Sequence, residues 1–262
     1  MLVKVVAVQS EIGRLPTLEE KIYIFKQRPD FVCLPEYCLV SPEDTDYHRA
    51  ELRTPEHLQT LSRLSSDLST CLIAGSMVEP DGDRLYNTSY LINRGNVLGK
   101  YRKRYPVESE IRQGISPGDG SVAFNIEGTI VGLLLCADVL EPGSYGSLAA
   151  RGADIIFAPT ISPLRQSDTV GQKRIRDEQY YVSGARETGA YVVKVCGVGE
   201  IFGKPLQGRS LIAAPWGVLE QTEIEAEQRR RILTVTIDIE EVREFRRKQL
   251  IRSALTARSP VS

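Results

Sequence analysis

The sequence predicts an α/β fold, either one mixed sheet or two sheets packed face to face, with helices outside. Three observations predict it. Short apolar runs, among them Val3 to Gln9, Asp30 to Leu34, Ile155 to Ala158 and Ala190 to Cys196, alternate with stretches of helical periodicity, as βαβ units require. Other strands are joined by tight turns at Arg94-Gly95-Asn96, Glu127-Gly128 and Pro215-Trp216-Gly217, which make antiparallel hairpins. A chain of 262 residues is long enough for one large core and short for two, so residues 1–262 read as a single domain with a helical tail from about 240.

Each element has its own warrant. After the first strand, Gly13 to Pro16 turns the chain, and Thr17 with Glu20 forms a capping box for a helix that ends before Pro29. Asp30 to Leu34 is a buried strand stopped by Pro35. Residues 41–57 are polar and turn-rich, a loop over a pocket mouth. Thr54 to Ser69 has helical spacing at Leu58, Leu61, Leu64 and Leu68. Cys71 to Gly75 is a third strand. Val122 to Ile126 and Ile130 to Cys136 pair about Glu127-Gly128, and the apolar run into Cys136 reads as a strand buried on both faces. Ser144 to Arg151 is helical, as is Val170 to Glu187 in one long amphipathic span. Leu211 to Ala214 pairs with Val218 to Glu220, Ile232 to Ile237 is the last strand, and a basic helix follows from Glu240.

Composition excludes several functions. With 33 basic against 34 acidic residues, the net charge of −1 removes electrostatic recruitment to nucleic acid or anionic membrane as a whole-molecule property. The apolar start, Met1 to Gln9, is too short to span a bilayer and lacks the features of a signal peptide. Five scattered cysteines without a CxxC pair indicate free thiols in a reducing, cytoplasmic setting. Only two histidines occur, His48 and His57, both read as surface residues; a multi-histidine metal site is excluded, and no metal or cofactor is expected.

Three reactive groups follow strand-like sequence: Glu36, Lys103 and Cys136. Ligands of α/β sheets gather beyond the carboxyl ends of strands. A thiolate can attack a carbonyl, a carboxylate can carry a proton, and an ammonium can lower a thiol pKa and steady an oxyanion. Each residue also has a plain reading. Cys136 is a small buried hydrophobe, Glu36 a solvated loop acid, and the run Gly99 to Tyr105 a lysine-blunted sheet edge. Spacing does not show that the three converge.

Phe31-Val32-Cys33-Leu34-Pro35-Glu36, Gly99-Lys100-Tyr101-Arg102-Lys103 and Leu133-Leu134-Leu135-Cys136-Ala137-Asp138 resemble the three signature segments of the nitrilase superfamily of carbon–nitrogen hydrolases. Tyr86-Asn87-Thr88, Gly152-Ala153-Asp154 with Pro159, Ala185-Arg186-Glu187, Gly208-Arg209-Ser210 and Pro215-Trp216-Gly217 extend the similarity over nearly the whole chain. The resemblance implies a four-layer α-β-β-α sandwich, with Glu36 as general base, Lys103 as oxyanion-stabilising lysine and Cys136 as nucleophile. It also implies the backbone N–H of Ala137 as second oxyanion donor and a further glutamate orienting the lysine, Glu110 or its rival Glu108. Thr160 is assigned to substrate binding, and the loops 41–57 and 160–170 to the pocket walls. Family members pair, so a homodimer or higher homo-oligomer is expected, with Arg243 to Arg258 as a dimer arm or a solvated helix.

The sequence departs from the family pattern beside the cysteine. Ala137 stands where an aromatic is usual, Glu141-Pro142-Gly143 replaces aromatic-Pro-Glu, Gly146 occupies an arginine position, and Tyr105 that of a histidine. Asp138 places the chain with the amidase-like branches. The leading reading is hydrolysis of a small carboxamide or carbamoyl compound through a cysteine thioester. A degenerate, non-catalytic scaffold is the alternative. A nucleotide site at Gly197-Val198-Gly199 lacks the GxGxxG spacing and reads as a turn-rich loop.

Overall fold

The computed structural model describes residues 1–256, with side chains described to Ile251. Two sheets form the centre. The first has seven strands in the order β15-β1-β2-β3-β5-β4, with β6 on β5. Here β1 is Leu2–Gln9, β2 Phe31–Cys33, β3 Cys71–Ile73, β4 Met77–Asp81, β5 Arg84–Asn93, β6 Asn96–Arg102 and β15 Arg231–Asp238. The second has six strands in the order β14-β13-β10-β9-β8-β7. These are β7 Ala123–Ile126, β8 Thr129–Leu133, β9 Ile155–Thr160, β10 Tyr191–Cys196, β13 Leu211–Ala214 and β14 Gly217–Gln221. The parallel pairs β1–β2, β2–β3, β8–β9 and β9–β10 lie at the heart of the sheets, and the hairpins lie outside them.

Strand alternation makes the layers. On β1, Val5 and Ala7 face the second sheet while Val6 and Val8 face the helices. Between the sheets, Val5, Phe31, Ile73 and Tyr101 meet Leu133, Phe157, Val193 and Ile212. Outside the first sheet pack α1 (Leu18–Gln27) and α3 (Thr54–Asp67), through Ile24, Leu61 and Leu64. Outside the second pack α5 (Ser144–Ala149) and α7 (Ser183–Thr188), through Tyr145, Leu148 and Ala185. This is the four-layer α-β-β-α sandwich. The Thr17–Glu20 capping box opens α1 as the sequence predicts, with Glu20 N donating to Thr17 Oγ1 and Thr17 N to Glu20 Oε2.

Several expectations change. The loop 41–57 contains a short helix, α2 (Tyr47–Glu51), capped by Asp46. Residues 170–187 are not one helix: α6 (Val170–Asp177) passes through a π-helical turn, Glu178–Val182, before α7. The extra residue in that turn rephases the helix so that Tyr181 and Val182 reach the core, which periodicity alone does not reveal. His57 is half-buried rather than a surface residue, and desolvation with nearby Arg53 lowers its pKa.

The basic tail is tied to the body of the protein. In α8 (Ile239–Thr256), Arg243 and Arg246 grip buried Asp154 at 2.7 and 2.6 Å. The end of the expected dimer arm, residues 257–258, lies outside the described residues. Among the described residues no helix is long and apolar enough to cross a membrane.

Candidate active site

Segments leaving strands of both sheets meet at one cavity of about 430 Å³, lined by Lys103, Glu110, Cys136, Ala137, Thr160 and Ile161 among others. Glu36 follows β2, where Pro35 stops the strand. It is wholly buried, not a solvated loop acid. Gly75 (φ +56°) makes that burial possible: a Cβ there would lie 1.9 Å from the carbonyl oxygen of Pro35, so only glycine lets the loop after β3 close on the Glu36 segment.

Lys103 follows β6. Alternation puts Tyr101 and Lys103 inward and Arg102 outward, so the basic run is a solvated edge on one side only; Lys103 is 1% exposed. Its backbone is held on both sides, N–H to Asn87 O at 2.8 Å and C=O from Gly118 N at 2.8 Å.

Lys103 Nζ donates to Glu36 Oε1 at 2.8 Å and to Glu110 Oε2 at 2.7 Å. Glu110, on α4 (Glu108–Ile111), also accepts from Tyr37 OH at 2.7 Å, Asn87 Nδ2 at 2.9 Å and Val107 N at 2.8 Å. Glu108, the rival, faces solvent and pairs with Arg112. Asn87 Nδ2 reaches Glu36 Oε1 as well, at 2.8 Å. Asn87 and Tyr37 were not singled out as site residues by sequence reasoning; the available signal for Asn87 was the segment Tyr86-Asn87-Thr88, which entered only as part of the family resemblance.

Cys136 does not end a strand. β8 stops at Leu133, and Cys136 opens a 3₁₀ turn, Cys136–Leu140, with φ +43°, an unfavourable value for a side-chain-bearing residue. Asp138 holds this turn: Oδ2 accepts from Leu135 N at 2.9 Å and Tyr101 OH at 2.7 Å, and Oδ1 from Tyr105 N at 2.9 Å. The cysteine turn is thereby bolted to the lysine strand. Ile161 makes a second bolt, donating N–H to Glu36 Oε2 at 2.9 Å and accepting from Cys136 Sγ at 3.3 Å.

The electrostatics follow from burial. Glu36 is pushed above the usual carboxylate range by desolvation, against the pull of Lys103 and with Glu110 adding to the rise. Glu110 suffers desolvation too, but Lys103 and its hydrogen bonds prevail and its pKa is lowered. The sequence expectation of an ammonium-lowered thiol does not hold. Solvent reaches part of Cys136 from the cavity, yet desolvation and the charge of Glu36 outweigh Lys103, and the thiol is pushed well up. The resting pair is a thiol beside a carboxyl group of raised proton affinity.

Thr160 lines the cavity, but its Oγ1 donates to Ala158 O at 2.9 Å and faces Tyr181 OH at 3.4 Å. The loop 160–170 contributes Ile161, Ser162, Pro163 and Arg165, and Tyr47 represents the 41–57 segment. A small hairpin, β11 (Glu200–Ile201) and β12 (Lys204–Pro205), adds Ile201, Phe202 and Lys204, which sequence reading missed. Neither histidine lines the cavity. The glycines near Val198 serve packing: a Cβ on Gly197 would meet Ile12 at 2.4 Å. Cys33, Cys38, Cys71 and Cys196 are buried, and burial pushes Cys38 and Cys71 up to about 12.

The sequence profile of the family described as Carbon-nitrogen hydrolase matches residues 7–247. The omega-amidase NIT2 of Mus musculus is 30% identical over 242 residues, covering 85% of this chain and 82% of its own length. A nitrilase of Pyrococcus abyssi is 30% identical over 205 residues, covering 72% and 70%. A carbon-nitrogen hydrolase from Helicobacter pylori G27 has the same fold, with a TM-score of 0.80, 19% identity and coverage of 95% and 93%. The match across almost the whole chain, on this fold, means that the protein belongs to the carbon–nitrogen hydrolase family, the nitrilase superfamily, as an amidase-type member.

Proposed function

We propose that this chain hydrolyses a small carboxamide or carbamoyl compound through a thioester on Cys136. The supporting observation is the continuous chain Glu110–Lys103–Glu36, in which Lys103 and Glu110 line the same cavity as Cys136 and Glu36 lies buried behind them, tied through Ile161 to the cysteine turn. Cys136 Sγ attacks the carbonyl carbon while its proton passes to Glu36, whose raised pKa suits it to accept one. The carbonyl oxygen becomes an oxyanion, met by the Lys103 ammonium and the backbone N–H of Ala137. Glu110 positions Lys103. Ammonia or an amine leaves with the proton held by Glu36. A water then gives its proton to Glu36, its oxygen attacks the thioester carbon, and the acid is released with the thiol restored. Resemblance to the omega-amidase NIT2 relatives favours an amide over a nitrile as substrate.

The test is ammonia release from a panel of amides, carbamoyl compounds and nitriles, with Cys136→Ala beside the wild type. Release by the wild type that disappears in the variant is the expected result. Release that persists in the variant refutes the nucleophile, and a wild type inert across the panel supports the non-catalytic reading.

A further inference from the structure

One part of the Cys136 cavity carries charge that this scheme leaves unused. Lys194 lies within β10, whose other residues are apolar or aromatic apart from Cys196, and it is 2% exposed. Its register partners are Ala158 on β9 and Leu211 on β13, so it points to the helix-covered face with Val192, not into the space between the sheets. There its Nζ donates to Asp177 Oδ1 at 2.7 Å and sits 4.7 Å above the centre of the Tyr181 ring. Lys194, Asp177 and Tyr181 all line the cavity that holds Cys136.

The charges do not balance. The other oxygen of Asp177 accepts from Arg209 Nη1 at 2.9 Å, so one carboxylate serves two buried cations. Nearby cations have acids of their own, Arg176 with Asp168 and Lys173 with Glu227. Glu36 and Glu110 are taken up by Lys103, Asn87 and Tyr37. Two further polar atoms of the lining, Arg209 Nε and Gln207 Oε1, are buried with no hydrogen-bond partner among the described residues. Asp177 takes one of the three N–H groups of Lys194, and no second hydrogen bond from this ammonium forms among the described residues. An excess buried cation is costly, and an apolar residue at position 194 would suit the strand better. Stability does not explain the lysine; an incoming anion does.

We infer that Lys194 is a specificity-determining residue that receives a carboxylate at the end of the substrate remote from the scissile amide. Asp177 and the Tyr181 ring hold the ammonium in place, and Arg209 keeps Asp177 from neutralising it alone. A carboxylate at Lys194 forms charge-assisted hydrogen bonds in a site largely screened from water. A cavity of about 430 Å³ holds a short acyl chain between the two ends. This inference rests on amide hydrolysis at Cys136 and adds the charge of the acyl group.

The experiment compares straight-chain monoamides of dicarboxylic acids with neutral amides in which a methyl ketone replaces the carboxylate. Wild type, Lys194→Met and Lys194→Arg are assayed, with melting temperatures to confirm folding. The wild type is expected to favour the acids by about tenfold or more in kcat/KM. In Lys194→Met the ratio of acid to neutral amide falls toward one, chiefly through KM, and Lys194→Arg recovers part of it. No wild-type preference for the acids, or an equal loss on both substrates in Lys194→Met, overturns the inference, since a purely structural cluster would behave so. Protection of Cys136 from iodoacetamide by the free dicarboxylates separates the two readings. Protection in the wild type that is lost in Lys194→Met supports the anion site even if no amide turns over, an outcome that refutes only the hydrolase reading. Absence of protection in the wild type counts against the anion site.

Discussion

Replacing Asp138 with asparagine tests the physical origin of the cysteine turn. Both carboxylate oxygens of Asp138 act as acceptors, toward Leu135 N, Tyr101 OH and Tyr105 N at 2.7–2.9 Å. Burial raises its pKa, while the three converging donors favour the ionised form and let the group work as a carboxylate. Asparagine is nearly isosteric and keeps one acceptor oxygen. If that oxygen takes the place of Oδ2, the new NH₂ group faces the N–H of Tyr105, donor against donor. One buried donor without a partner costs about 1–3 kcal/mol, and the retained bonds lose their charge assistance, for a total of about 2–4 kcal/mol. For a chain of this size that lowers the melting temperature by roughly 5–12 °C. The turn at Cys136 already has an unfavourable φ, so slack there moves the thiol relative to Lys103, and a shift of about 1 Å can cost about 100-fold in rate. The assay is a melting curve together with kcat and KM on the best amide. A lower melting temperature with a fall in kcat larger than the change in KM is expected. Wild-type values of both would refute the bolting argument.

Three further outcomes follow from neighbouring groups. In Gly146→Arg, a Cβ at this helical site meets nothing nearer than Glu187 Oε1 at 3.8 Å, so removal of a helix glycine and a new ion pair raise stability by about 1–1.5 kcal/mol, read as a higher melting temperature; no gain would refute the vacancy of that site. Asp154 is desolvated, yet Arg243, Ile130 N and Arg246 hold its pKa below the usual value, so its contribution is full above about pH 4 and is lost as pH falls through the depressed pKa. Melting temperatures of the wild type and Asp154→Asn should therefore converge in acid, and parallel pH curves would refute the clamp. Because burial raises the pKa of Glu36, the acid limb of kcat/KM should lie above the ordinary glutamate range, and a limb at about pH 4 or below would exclude Glu36 as the group that must be ionised.

The fold was legible where pattern and punctuation agree. Thr17 and Glu20 specify the start of α1, and Pro35 marks both the end of β2 and the position of Glu36. The strand pattern alone left one mixed sheet and two facing sheets open, because a strand buried on both faces reads the same in either; the family resemblance is what pointed to the two-sheet sandwich. Lys103 looked like part of a solvated edge. Its burial depends on the β6 alternation, which a run of basic residues conceals. Other features carried little or no local signal. The φ of +43° falls on a cysteine rather than a glycine, and the π-helical turn preserves an apparently continuous helical period. Asn87 and Tyr37 take meaning only when β5 and the loop after β2 are brought together by the sheet. Lys194 did carry a signal, a lone charge in a buried strand, but an apolar reading of Ala190 to Cys196 passes over it.

The candidate site is divided between the two sheets, and this division explains its supporting bonds. Glu36, Asn87 and Lys103 belong to the first sheet or to the segments leaving it; Cys136 and Ile161 belong to the second. Apolar packing between sheets fixes their separation but is weakly directional, and it does not by itself set a sulfur against a carboxylate to a fraction of an ångström. Directional bonds across the gap supply that precision: Ile161 N to Glu36, Tyr101 OH to Asp138 and Tyr105 N to Asp138. The residues beyond Asp138, Glu141-Pro142-Gly143 and Gly146 among them, take no part in those three bonds. The chain can therefore vary there and still keep the Glu36–Lys103–Cys136 arrangement; of this turn, Cys136, Ala137 and Leu140 line the cavity, and residues 141–143 and Gly146 lie outside its lining.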